Sequence, residues 1–437
     1  MSSSFSCHDP SVKREEDKEE KEEEEICAAR FLCRLLLFFV ALWSADAWGA
    51  EPVTYRDFDA PPHLYRQRTP ADRFSRMKAD LESGRIALDR TSELAFLKSL
   101  LRELEVPMSS QMLVFSTTSL QLRLISPSNP RAIFFSDDIY IGYIPGGRVE
   151  VLSLDPELGA IFSIFDIPRD ERPLRIERSE RCMNCHGSAD SAYVPGLVMK
   201  SVVPGQRGGS LNAFRIEQTG HGIPFEQRFG GWYVTGRSGI ASELGNVLGR
   251  YANGVMVKQR LEPGALFDFA RYPVATSDVL PQLLLEHQAG FVNRVVEASY
   301  RARTALHASG GNLTPEQMRE LDEQARIVTR YVLFADEVPI PAGGLAGDAE
   351  FRKEFQNARP ATTLRELDLH TRLLKRRCSY MIFSPVFEGL LPQMKQRIFH
   401  RLGEALNAEK PDAEYAYLPA DEKREIRGIL KTLLPDW

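Results

Sequence analysis

The spacing of apolar residues changes twice along the chain and divides it into helical, strand-like and again helical thirds. From Thr69 to about Leu104 apolar positions recur at helical intervals, interrupted near Ser83-Gly84. Thr69-Pro70-Ala71-Asp72 opens this region with a hydroxyl cap, a proline at the first helical position and a carboxylate in the first turn. After Pro107 the period becomes alternating. Met112–Ser116, Ala132–Ile144, Val149–Ser153 and Ala160–Ile167 are short β-branched or aromatic runs, parted by Pro145-Gly146-Gly147 and by residues 155–159. Connections this short join antiparallel neighbours and predict a small β-meander. Further strand-like pieces at Val194–Val203, Ser210–Ile216 and Gly231–Thr235 lie among glycines. Helical spacing then returns. Ser277 is placed to cap a long helix reaching His307, and Thr314-Pro315-Glu316-Gln317 is a capping box that opens a second. Asp348–Asn357, Leu364–Arg377, Leu391–Leu406 and Asp421–Leu434 supply more helix. Strands followed by helices predict an α+β architecture.

The first 47 residues stand apart from this pattern. Lys13–Glu25 is strongly acidic; Arg30 and Arg34 then precede an apolar run, Leu35–Trp43, with Ala45-x-Ala47 after it. This reads as a secretory signal with its cleavage site, and the run is far shorter than the roughly 20 residues that span a bilayer. The expected layout is a tail plus signal over 1–47 and an extended arm over 48–68. A helix and β-meander over 69–180, a β/loop segment over 181–275 and a helical region over 276–437 complete it.

Removing the leader takes away six of the 55 Lys and Arg and eleven of the 60 Asp and Glu, which leaves 49 of each. A balanced chain gives no broad steering toward nucleic acid or anionic lipid, so no nucleic-acid partner is expected, and the apolar run is too short for a permanent membrane span to be expected. Of six cysteines only Cys182, Cys185 and Cys378 remain. Cys378 begins an apolar run and reads as a core residue.

The candidate chemistry lies at Cys182-Met-Asn-Cys185-His186, near the centre of the chain. Two thiols at this spacing on one helical turn, capped by Ser179, are placed to add to the two vinyl groups of a haem. The adjacent imidazole then lies under the iron as its proximal ligand. Shuffling a chain with six Cys and eight His yields such a pentapeptide only about once or twice in a thousand trials, so chance is a weak competitor. A thioredoxin-like dithiol leaves His186 without a task, and structural zinc needs a fourth ligand for which no second spaced pair exists. The expected cofactor is one covalent haem c with its iron, in an exported, periplasmic location where such haem is attached. The strands form a wall beside this segment and the C-terminal helices pack behind it as a bundle.

What holds the sixth iron position decides between carrying electrons and binding small molecules. His221 lies in a glycine- and aromatic-rich loop. His287 lies on a buried helical stripe with Leu280, Leu284, Phe291, Val295 and Ala298. Met199, Met256 and His370 are further candidates, and an open site is the remaining case. His63, His307 and His400 lie in sequence that reads as solvated. Arg215, Arg228 and Arg237 are possible propionate partners.

The pentapeptide followed by Gly187 resembles that of c-type cytochromes. HGIPFEQRFGGWYVTG (221–236), LLLEHQAGFVNR (283–294) and LRELDLHTRLLKRRCSYMIFSPVF (364–387) resemble a group of exported bacterial cytochrome c domain proteins. The resemblance implies haem binding at Cys182, Cys185 and His186 and electron transfer to a redox partner protein, with no substrate. The alternative expectation is a haem enzyme or sensor with an open or displaceable sixth site, and a zinc or dithiol module is the third.

Overall fold

The computed structural model describes residues 54–437 except 171, 215–219, 237–243, 361 and 435–436. The acidic tail and signal over 1–47 lie outside the described residues, as do Arg215 and Arg237.

The apolar runs after Pro107 become consecutive antiparallel strands: β1 (Met112–Val114), β2 (Arg131–Phe135), β3 (Ile139–Tyr143), β4 (Val149–Asp155) and β5 (Gly159–Phe165). The Ala132–Ile144 run is broken by Ser136-Asp137-Asp138, a tight polar turn closed by Ser136 N–H donating to the Ile139 carbonyl (2.8 Å). β6 (Glu177–Arg178) extends one edge. β7 (Ser201–Pro204) and β8 (Ser210–Phe214) pair separately, and β9 (Trp232–Tyr233) joins the other edge of the large sheet beside β1. β10 (Val247–Ala252) and β11 (Val255–Arg260) form a hairpin. Its turn, Asn253-Gly254, has positive φ at both residues (50° and 77°), as a two-residue primed turn requires.

Every residue of β3 and β5 is buried, so the half-exposed alternation expected for a meander is absent there. Both sheet faces are covered. Leu113, Phe134, Ile141, Val151 and Phe165 share one core with Phe74 and Leu81 of α1 (Arg73–Ser83) and Phe96, Leu97 and Leu100 of α2 (Glu93–Glu103). Met112, Val114, Phe135, Leu152 and Phe162 face a second core with the C-terminal helices. A strand buried on both sides reads as a near-continuous apolar run.

The helical segment α3 (Met183–His186) is a single turn. The long α4 (Val279–Ala308) packs on α5 (Pro315–Val332), and α5 packs on α8 (Pro392–Ala405); α6 (Ala349–Asn357), α7 (Pro385–Glu388) and α9 (Ala420–Leu433) complete the set. Every residue of α4 from Val279 to Asn293 is buried, including Gln282, Glu286, His287, Gln288 and Asn293. Buried polar side chains need partners, and Glu286, His287 and Asn293 find theirs in the region described below. Residues 54–437 form one contact unit. The expected arm is folded onto it by Tyr65, whose hydroxyl donates to the Ala160 carbonyl (2.6 Å).

The architecture is α+β. The capping box at Thr314 and Gln317 is present, but three local expectations are corrected. Asp72, not Thr69, caps α1 by accepting from Ser75 N–H (2.9 Å). Asp278, not Ser277, caps α4, while Ser277 Oγ donates to the Tyr233 carbonyl (2.7 Å). Leu364–Arg377 is not a helix: Asp368 accepts from the backbone N–H groups of His370 and Thr371, Leu369 has φ 62°, and Leu367 bridges Leu374. A short acid that satisfies the backbone in a turn competes with helix at that point.

Candidate functional site

The pentapeptide is held on one turn. Cys182 ends a 3-10 turn (Glu180–Cys182) and passes directly into α3. Ser179 precedes the turn without capping it; its Oγ instead accepts from the Cys182 thiol (3.3 Å). Cys182 is half-buried, Cys185 is exposed, and both are free thiols. Burial pushes the Cys182 thiol up from its ordinary range. Gly187 packs closely, since a Cβ there would stand 2.8 Å from Met183 Cε and 3.0 Å from the Phe58 ring and one of them would have to shift.

His186 is fixed from two sides. Its Nδ1 lies 2.8 Å from the Gly196 carbonyl, and its own carbonyl accepts from Gly196 N–H (3.0 Å) and Ser191 Oγ (2.8 Å). A carbonyl only accepts, so Nδ1 carries the proton and Nε2 keeps the lone pair. No described residue hydrogen-bonds Nε2. Phe162 of β5 lies against the imidazole (ring centroids 4.7 Å), and desolvation holds the ring's pKa down at about 4.

The Gly196 strap is itself tied to the core. Asn293 of α4, buried, accepts from Leu197 N–H (2.8 Å) and donates to the Leu197 carbonyl (2.9 Å). A Cβ on Gly196 would come within 2.3 Å of Asn293 Oδ1, so the contact depends on glycine. The chain of contacts runs from α4 through Asn293 and the 196–197 backbone to the His186 ring. Asn293 was not singled out from sequence, although it lies within LLLEHQAGFVNR; several polar residues share that helix, so an amide there carried no distinguishing signal.

His221 and His287 meet each other. His221 Nε2–H donates to the Ala335 carbonyl (3.1 Å), which leaves its Nδ1 to accept from His287 Nδ1–H (2.9 Å). His287 Nε2 then accepts from Ser379 Oγ (2.8 Å). Both rings stack with Tyr331 and Phe334, and burial drives both pKa values down, His287 to about 3. The expected burial of the His287 stripe is present. In this arrangement all four ring nitrogens are engaged, and neither imidazole presents a lone pair to iron. His287 also lies six residues, about 9 Å of helix rise, from Asn293.

Arg228 is likewise committed. It pairs with Glu286 (2.8 Å), both side chains buried, and donates to the carbonyls of His221 and Ile223. It therefore has no free edge for a propionate. Burial lifts Glu286 to about 7 against the pull of Arg228. Met199 is half-buried against the main core, Met256 lies on β11 and His370 is exposed. His63, expected to be solvated, is 1% exposed and stacks on Tyr300 (4.1 Å) with Nε2 2.9 Å from Thr304 Oγ1. Cys378 is buried, its thiol pushed up to about 12, as a core residue should be.

Among the described residues no group of three or more His, Cys, Asp or Glu is disposed to hold a metal ion, and no helix is long and apolar enough to cross a membrane. No family model, curated protein or solved structure matches the chain.

Proposed function

We propose that this chain is an exported mono-haem c-type cytochrome that passes electrons to a redox partner protein, with haem c attached at Cys182 and Cys185 and His186 as proximal ligand. One observation carries the reading: two free thiols and an imidazole share one turn, and that imidazole has Nδ1 bound to a carbonyl and Nε2 unclaimed. A proximal histidine needs this tautomer, since a carbonyl on Nδ1 orients the ring and makes Nε2 the better donor. A zinc ion needs three or four protein ligands, whereas a porphyrin supplies four nitrogens and asks the protein for one.

When bound, the haem supplies one reversible electron through its ferric and ferrous states. Cys182 and Cys185 would attach it and His186 would supply the ligand to its iron, while Gly196 and Asn293 keep the imidazole from turning and Phe162 shields one side of that ring from water. In this reading the sheet is the wall of the haem segment and the C-terminal helices back it.

A second reading has a specific observation in its favour. His221 and His287 are spent on each other, so an open sixth site, and with it a haem enzyme or small-molecule sensor, stands as the alternative. The test is full-length protein produced with haem-attachment machinery. Its mass should exceed that of the bare polypeptide by one porphyrin, and its ferrous spectrum should not change under carbon monoxide. A rapid shift of the main band selects the open-site alternative. Colourless protein with the bare mass overturns both.

A further inference from the structure

We infer that Arg131 and Glu150, an ion pair on the sheet face beside the His186 imidazole, act as opposed charges that set the reduction potential of the centre held by Cys182, Cys185 and His186. This rests on the functional reading above. The strand register gives the placement. Phe162, which touches the imidazole, and Ile164 share one face of β5. Ile164 lies opposite Glu150 on β4, Glu150 opposite Gly142 on β3, and Gly142 opposite Ile133 on β2, two positions from Arg131. The guanidinium reaches Glu150 (2.7 Å) by crossing Gly142, where a Cβ would stand 2.5 Å from Arg131 Nη2. A Cβ at 142 would displace the guanidinium from that path.

The pair is built rather than incidental. Ser119 Oγ (3.2 Å) and Gln121 Nε2 (3.0 Å) both donate to Glu150 Oε1, and the two side chains keep only 17% and 14% of their exposure. Arg131 Nε is buried with no partner, so the guanidinium is not used up by the pair. The rest of this face is largely apolar, with Met112, Val114, Phe135, Leu152 and Phe162. A largely buried ion pair is weak support for stability, because desolvation cancels much of its attraction, so its presence here points to another role.

The consequence follows from Coulomb's law. Ferric iron carries one more positive charge than ferrous iron, so an uncompensated carboxylate nearby favours the ferric form and an uncompensated guanidinium favours the ferrous form. For unit charges across a partly buried site the change is about tenfold in the reduction equilibrium, or about 59 mV for one electron.

The experiment is a mediated redox titration of full-length holoprotein, with dithionite as reductant and ferricyanide as oxidant, after mass and spectrum have established that haem is attached. Arg131→Gln should lower the potential by the equivalent of about tenfold and Glu150→Gln should raise it by a similar factor. The double variant and Arg131→Lys should return close to the natural value. Single variants that both leave the potential unchanged, or shift it in the same direction, overturn the inference while leaving the functional reading intact. Should Arg131→Gln fail to fold, Glu150→Gln decides alone: an unshifted potential ends the proposal. A natural chain without covalent haem removes the functional reading first, and this inference with it.

Discussion

At the scale of single residues, the proposed centre depends on groups whose tasks are set by neighbours. His186→Ala removes the proximal ligand proposed for iron and should abolish the ordinary c-type spectrum, whereas Cys182→Ser should leave one thioether and reduce the yield of holoprotein. Asn293→Ala tests the strap. It leaves the Leu197 N–H and carbonyl without their partners, at a cost of about 2–3 kcal/mol in chemical denaturation. It should also alter the ferric low-temperature resonance of the holoprotein, since the imidazole loses its bracing; an unchanged resonance would confine Asn293 to stability. The C-x-x-C-H motif was legible because its chemistry is local. Asn293 was not, because its partners lie 96 residues away.

At the scale of elements, α4 is where propensity and packing disagree. Gly290 sits inside this helix, and replacing a helical glycine with alanine ordinarily stabilises by about 1 kcal/mol. Here a Cβ would stand 2.1 Å from the Tyr331 hydroxyl and 2.6 Å from its Cζ, and that hydroxyl donates to the His287 carbonyl (3.0 Å). Gly290→Ala should therefore destabilise, by about 1–3 kcal/mol from overpacking, and a rise in melting temperature would show that α5 yields more easily than this packing implies. Most helices and the β1–β5 runs could be read from periodicity, since each buries a continuous apolar set. The 364–377 segment was misread because its spacing is helical while Asp368 closes a turn that holds Leu369 in a left-handed backbone leucine does not favour. The caps at Asp72 and Asp278 were missed by one to three residues because several capping residue types stand side by side in the sequence.

At the scale of the whole molecule, burial of neutral imidazoles links stability to pH. His63 is held at about 4, chiefly by desolvation, against an ordinary 6.5. Below pH 6.5 the unfolded chain takes up a proton that the folded chain refuses, so stability falls as pH drops, by about 1.4 kcal/mol per unit for this group until about pH 4. His221 and His287 act in the same direction. Glu286 and Glu337, each raised to about 7 by burial, act oppositely: between pH 7 and 4.5 the folded chain holds protons that the unfolded chain releases. The net slope is a difference, and His63→Phe isolates one contribution. Urea denaturation at pH 7 and pH 5 should show the natural chain losing about 2 kcal/mol more than the variant over that interval, and equal losses would mean that His63 is solvated in the fold. By itself the sequence determined strands β1–β5, most helices, the α+β class and the thiol–thiol–imidazole turn, because these arise from residues a few positions apart; the β10–β11 hairpin was not read from it. Only the tertiary structure decided that His221 and His287 satisfy each other, that His63 is buried and that Arg131 crosses Gly142 to Glu150. Their partners lie on separate elements, and which buried polar groups meet is settled when those elements pack and each donor must find an acceptor out of water.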